Sequence, residues 1–153
     1  MSRGILFGAV ACLLLVCSLP LTAQDKGYWR AASSNANDIT GDLALTNDKI
    51  TINFSAFTIA QIRPLQPAES SAVFDADPGA GGSGYLYRLN VPAQKRFLHK
   101  NTLCGSDDTQ WIATYVQGRA LHVAFFSGPD MPVLTAEALA SSTDVCGTFS
   151  YSR

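Results

Sequence analysis

Apolar residues recur at every second position through most of this chain, and that period constrains the fold more than any other feature. A period of two sets one row of side chains on each face of an extended strand, whereas a helix needs apolar residues three and four apart. Ile39, Gly41, Leu43 and Leu45 alternate with Thr40, Asp42 and Ala44; after Asn47-Asp48, Ile50, Ile52 and Phe54 alternate with Thr51 and Asn53. The pattern predicts a hairpin with one buried face, turned at Asn47-Asp48 because both residue types tolerate positive φ. A third apolar run, 57–62, ends before Pro64 and Pro67, since proline cannot donate to a ladder. Tyr85, Tyr87, Leu89 and Val91 alternate up to Pro92. Segment 111–116 joins 119–126 through Gln117-Gly118, with Leu121, Val123 and Phe125 alternating against Ala120, His122 and Ala124; 145–151 supplies a last strand. Only 135–141 reads as helix, two turns at most. The expected fold is therefore all-β: a single antiparallel small barrel, lipocalin-like or inhibitor-like, or a β-sandwich, of about seven to nine strands with one short helix near 135–141.

The amino terminus stands apart from this pattern. Arg3 precedes an uncharged apolar run at 5–19, and Leu21-Thr22-Ala23 ends in a small residue suited to cleavage before Gln24. Residues 1–23 are read as a secretory signal peptide and 24–153 as a single all-β domain. The run is shorter than the roughly 20 residues that a bilayer-spanning helix needs. Lipidation would use Cys12 or Cys17, but Val16 does not offer the small residue such a signal requires before its cysteine. The mature chain is thus expected to be exported, periplasmic or extracellular, without a membrane span.

Export decides how the cysteines are read. Two of the four lie in the leader, and Cys104 and Cys146 remain as an even pair, which predicts a disulfide. Zinc is a poor alternative, because neither has a nearby Cys or His partner.

The chain is 47% hydrophobic and only 15% charged, which supplies a core and excludes a disordered polymer. Eleven Lys+Arg against twelve Asp+Glu give no field for a polyanion, so nucleic acid is not an expected partner.

Chemistry-bearing motifs are sparse. Asp75-Ala76-Asp77-Pro78-Gly79 places carboxylates at alternate positions before a bend, as a calcium loop does, but the fifth and twelfth positions hold Gly79 and Leu86 instead of ligands. The glycines at 79, 81, 82 and 84 make a surface loop, and no Gly-Lys-Ser/Thr follows to cradle phosphate. His99 and His122 have no nucleophile elbow beside them. Lys95, Arg96, His99 and Lys100 form a small basic cluster, read as a solvated turn or an anion contact. Asp107-Asp108 is read as a hydrogen-bonded turn, since adjacent acids do not make a spaced glycosidase pair. No catalytic residue, metal or cofactor is expected. Asp75, Asp77, Ser83, Tyr85, Asp107 and Asp108 are the candidate loop-binding residues.

Thr40-Gly41-Asp42, Asn101-Thr102-Leu103-Cys104-Gly105, Ala124-Phe125-Phe126-Ser127-Gly128 and Cys146-Gly147-Thr148-Phe149-Ser150-Tyr151 together carry a resemblance. The chain resembles an uncharacterised family of small exported bacterial β proteins with two Cys-Gly pairs, over most of 28–151. That family brings no catalytic residue to carry over. Ser83-Gly84-Tyr85 is loosely similar to the inhibitory loop of periplasmic lysozyme inhibitors, without its full pattern.

The function expected on these grounds is a non-enzymatic exported binding module, acting through surface loops on another envelope protein or a foreign protein, hydrolases included. The alternative is a lipocalin-like carrier holding a small apolar ligand near Tyr85, Tyr87 and Trp111. The chain is expected to be a monomer.

Overall fold

The computed structural model describes residues 25–153; the leader 1–23, Cys12, Cys17 and the cleavage point before Gln24 lie outside the described residues. The strands are β1 (Gly27–Ala31), β2 (Leu43–Leu45), β3 (Lys49–Ile52), β4 (Ser55–Thr58), β5 (Ala60–Pro64), β6 (Ser83–Val91), β7 (Thr109–Gln117), β8 (Ala120–Phe126) and β9 (Val145–Ser152). All pair antiparallel in one sheet, in the order β4-β3-β2-β1-β9-β8-β7-β6-β5. Its two edges, β4 and β5, are separated in sequence by Ile59 alone, so the sheet must roll until they come together. The edges do not hydrogen-bond to each other, and the result is an open, sandwich-like roll of nine strands rather than a closed barrel. β1 turns the corner between its walls: Gly27–Trp29 pair with β2, and Arg30 and Ala31 pair with β9.

Burial on one face or two explains the two kinds of strand sequence. The inner face packs Trp29, Leu43, Leu45, Ile50, Ile52, Tyr87, Ile112, Leu121, Phe125 and Tyr151 into one cluster. Each such side chain contributes roughly 1.5–3 kcal/mol through burial. β2 and β3 are covered on this face only and keep a clean alternation. β6, β7 and β8 are covered on both. Leu86, Trp111, Ala113, Ala124, Phe126 and Leu134 form a second, outer cluster beneath Leu65, Val73, Phe74 and Leu139. Beside their alternating rows these strands therefore carry buried residues at successive positions, as at Leu86-Tyr87, Trp111-Ile112-Ala113 and Val123-Ala124-Phe125-Phe126.

The outer cover is two helices, α1 (Pro67–Phe74) and α2 (Ala136–Ser141). Helix α2 lies where the sequence places it, with the Thr135 hydroxyl capping the amide of Ala138 at 3.2 Å. Helix α1 was not expected. Pro67 sits in its first turn, where a missing N–H costs nothing, and Glu69 accepts the Gln66 amide at 2.8 Å. The same carboxylate receives both guanidinium nitrogens of Arg63 at 2.7 Å, fastening α1 to β5.

Three further local expectations change. Residues 36–40 form a π-helical turn instead of the start of a strand, because the Ser33 hydroxyl accepts the Ala36 amide and Gly41, at φ +62°, closes the turn onto Ala36. Strand β2 therefore begins only at Leu43. The run 57–62 is not one strand but the end of β4 and the start of β5, broken at buried Ile59, whose amide donates to the carbonyl of Asp48. Positive φ falls not at Asn47-Asp48 but at Asn53 (+44°) and Phe54 (+64°), in the two-residue turn from β3 to β4.

Candidate functional site

The six loop-binding candidates do not converge on one site. Asp75 ends α1 in the left-handed conformation, φ +55°, and Asp77 accepts the amide of Gly79 at 2.9 Å, so both shape the loop that carries them. No group of three or more His, Cys, Asp or Glu able to hold a metal occurs among the described residues. Ser83 and Tyr85 are not loop residues: both belong to β6, opposite Val116 and Thr114 of β7, and Tyr85 packs against the inner core. A Cβ at Gly84 between them would collide with the carbonyl of Thr114, which accounts for a glycine there. Asp107 and Asp108 stay exposed in the loop before β7, beside the Cys104–Cys146 disulfide. Asp108 accepts the Ala93 amide at 2.8 Å and holds that loop closed. Together with Asp144 they line an open pocket of about 440 Å³.

The titratable groups packed against the core have structural partners. His122 faces the outer side of β8, as its place in the alternation implies; Nδ1 lies 3.0 Å from the Ser150 hydroxyl and the ring sits beside Phe74 and Tyr115. Burial pulls its pKa below the ordinary histidine value. Asp25, just ahead of β1, is buried: the hydroxyls of Tyr87 and Thr114 donate to its Oδ2 at 2.6 and 2.9 Å. Lys26 donates to the Tyr87 oxygen at 2.8 Å, and burial lowers its pKa while raising that of Tyr87. This network ties the start of the domain to β6 and β7. Tyr87 fills the inner core and Trp111 points into the outer cluster, its indole N–H donating to the carbonyl of Gly128 at 3.1 Å.

The exposed aromatic residues lie elsewhere. Ile50 and Ile52 are buried as alternation requires, but Phe54, next in the series, is 98% exposed. The two-residue connection demands positive φ at both its residues, and this rotates the phenyl ring out of the core row. Asparagine tolerates that conformation; a bulky residue there is strained by roughly 1–2 kcal/mol. Across the outer face of β1–β3, Tyr28 is 58% exposed, and its hydroxyl donates to Asp42, which also accepts the Ala31 amide at 2.8 Å. The Tyr28 hydroxyl, and after it the Ala31 amide, holds the Asp42 carboxyl below the usual carboxylate range. Between the two rings lies a hollow of about 170 Å³, lined by Asp42, Leu43, Ala44, Thr51 and Asn53.

Sequence reasoning assigned Phe54 to the core and passed over Tyr28 and Asp42 as site residues. The available signal was Asn53, a residue type that tolerates positive φ, standing between two apolar runs. Phe54→Gly is expected to make the protein about 0.5–1 kcal/mol more stable, because glycine adopts the turn without strain and gives back only part of that gain in chain entropy. Urea unfolding measures it; a less stable variant would mean that the ring contributes packing which its exposure does not show.

Comparison with family models, with curated proteins and with solved structures returns no match for this chain.

Proposed function

We propose that this protein is an exported, non-enzymatic binding module of the periplasm or the cell exterior, acting through the surface that carries Phe54. The observation that carries the reading is a large apolar ring, 98% exposed, on a backbone conformation that disfavours it. Strain of this kind persists where the rest of the fold enforces it, and it clusters at binding surfaces. The Cys104–Cys146 disulfide accords with an oxidising compartment, and among the described residues no helix is long and apolar enough to cross a membrane. The partner expected from the sequence is another envelope protein or a foreign one, a hydrolase held in check included. The rigid sheet beneath supplies what such a surface needs, a fixed platform under an exposed turn.

Immobilised wild-type protein and its Phe54→Ser variant, each purified from the exported fraction and exposed to the same envelope extract, test the reading. A component retained by the wild type and lost by the variant is the expected result. Identical retained sets would sink it, provided the variant unfolds at the same or higher urea concentration.

A further inference from the structure

We infer that the hollow between Tyr28 and Phe54 is a binding site for a neutral pyranose ring, presented by a polysaccharide. The inference rests on the reading of this surface as the binding surface and names the chemistry it takes. Its floor is built of small side chains: Tyr28, Ala44 and Thr51 are cross-strand neighbours in register across β1 to β3, so only Ala44 and Thr51 stand between Tyr28 and the Phe54 turn. Both rings are exposed. Tyr28 is tied through its hydroxyl to Asp42, and the turn backbone sets the direction in which the Phe54 side chain leaves the sheet. The tied Tyr28 ring loses little freedom on binding, and the C–H face of a sugar ring packs on exposed aromatic faces without displacing structure.

The polar rim selects among occupants. The hollow carries the Asp42 carboxylate, the Thr51 hydroxyl and the Asn53 amide, and among the described residues no Lys, Arg or His lines it. Neither the Thr51 nor the Asn53 side chain hydrogen-bonds within the described residues, so both are available to a ligand. A carboxylate only accepts, and vicinal sugar hydroxyls donate to it while exchanging hydrogen bonds with the Asn53 amide. A phosphate, sulfate or uronate would meet Asp42 with like charge, and the nearest cation, Arg30, lies outside the lining and already acts on Asp42 and Tyr28. An acyl chain or an apolar peptide side chain would cover that carboxylate and strip its water without replacing the lost hydrogen bonds. At about 170 Å³ the hollow suits one ring, with the rest of the chain running over the open face.

Backbone-amide NMR titrations with maltotriose, cellotriose and chitotriose test this. At least one is expected to give saturable shifts confined to 28–31, 42–44 and 51–55, and Tyr28→Ala and Phe54→Ala are each expected to raise its Kd about tenfold or more. The unshifted amides of each variant report that it is folded. No saturable shift with any of the three, shifts outside these segments, or a Kd indifferent to both substitutions would overturn the inference. If an extract component is lost with Phe54→Ser while no trisaccharide binds, the docking surface stands and its occupant is a protein. If neither occurs, both readings fall.

Discussion

Trp29→Ala is expected to destabilise the domain by about 3–5 kcal/mol, lowering the midpoint of thermal unfolding by on the order of 10–20 °C. Trp29 is fully buried in the inner cluster, on the strand that turns the corner between the two walls. Its indole N–H donates to the carbonyl of Asp25 at 2.8 Å, and the Arg153 guanidinium lies 4.3 Å from its ring. One side chain thus supports the start of the domain, its end and the sheet between. Truncation removes the transfer free energy, leaves a large cavity and orphans the Asp25 carbonyl. Trp29→Phe separates these effects: it keeps most of the volume and loses the N–H, and about 1–2 kcal/mol is expected. Urea unfolding of both variants with an unchanged slope checks the pair. A loss under about 1 kcal/mol for the alanine variant would mean that the core collapses around the site.

How much of this was legible beforehand follows from what period two can and cannot report. It places Ile50 and Ile52 on the inner face correctly, because one-sided burial is what produces alternation, and Leu121, Val123 and Phe125 as well, because Ala120, His122 and Ala124 alternate with them on β8. It also puts His122 on the opposite side. It says nothing of a second cover, so α1 went unseen beside β6, and Trp111 was placed near a ligand site when it faces the outer cluster. Phe54 shows the deeper limit. Composition cannot distinguish an aromatic residue that ends a core row from one that begins a turn; the difference lies in two φ values set by how few residues join β3 to β4. The candidate surface was hidden for the same reason, since Tyr28 and Asp42 come together only through the pairing of β1 with β2.

The Phe54 turn also sets stability against function in a way the core does not. At Trp29 the residue that folds best is the one present. At position 54 glycine would fold better, and its absence is what makes the exposed ring informative. Phe54→Gly should raise stability and remove binding together, a combination that a merely tolerated surface residue would not give.

Breaking the Cys104–Cys146 disulfide is the other large perturbation. The two cysteines are 42 residues apart in sequence, and the Cys104→Ser/Cys146→Ser double variant is expected to lose about 4 kcal/mol, through the chain entropy that the cross-link removes from the unfolded state. Its place in the fold argues against a smaller value. The bridge joins the loop between β6 and β7 to the start of β9, the strand that pairs with β8 on one side and with β1 on the other. Both cysteines pack against the inner cluster, and the Thr109 hydroxyl lies 3.1 Å from the Cys104 sulfur, so serine in their place also loosens that contact. Dithiothreitol supplies the control. It should lower the urea midpoint of the wild type to nearly that of the double variant and leave the variant unmoved. A wild type indifferent to the reductant at every urea concentration, with a double variant of equal stability, would show that the strand pairing of β9 holds the roll by itself. The disulfide would then be a guard on the 92–108 loop rather than a clasp on the sheet.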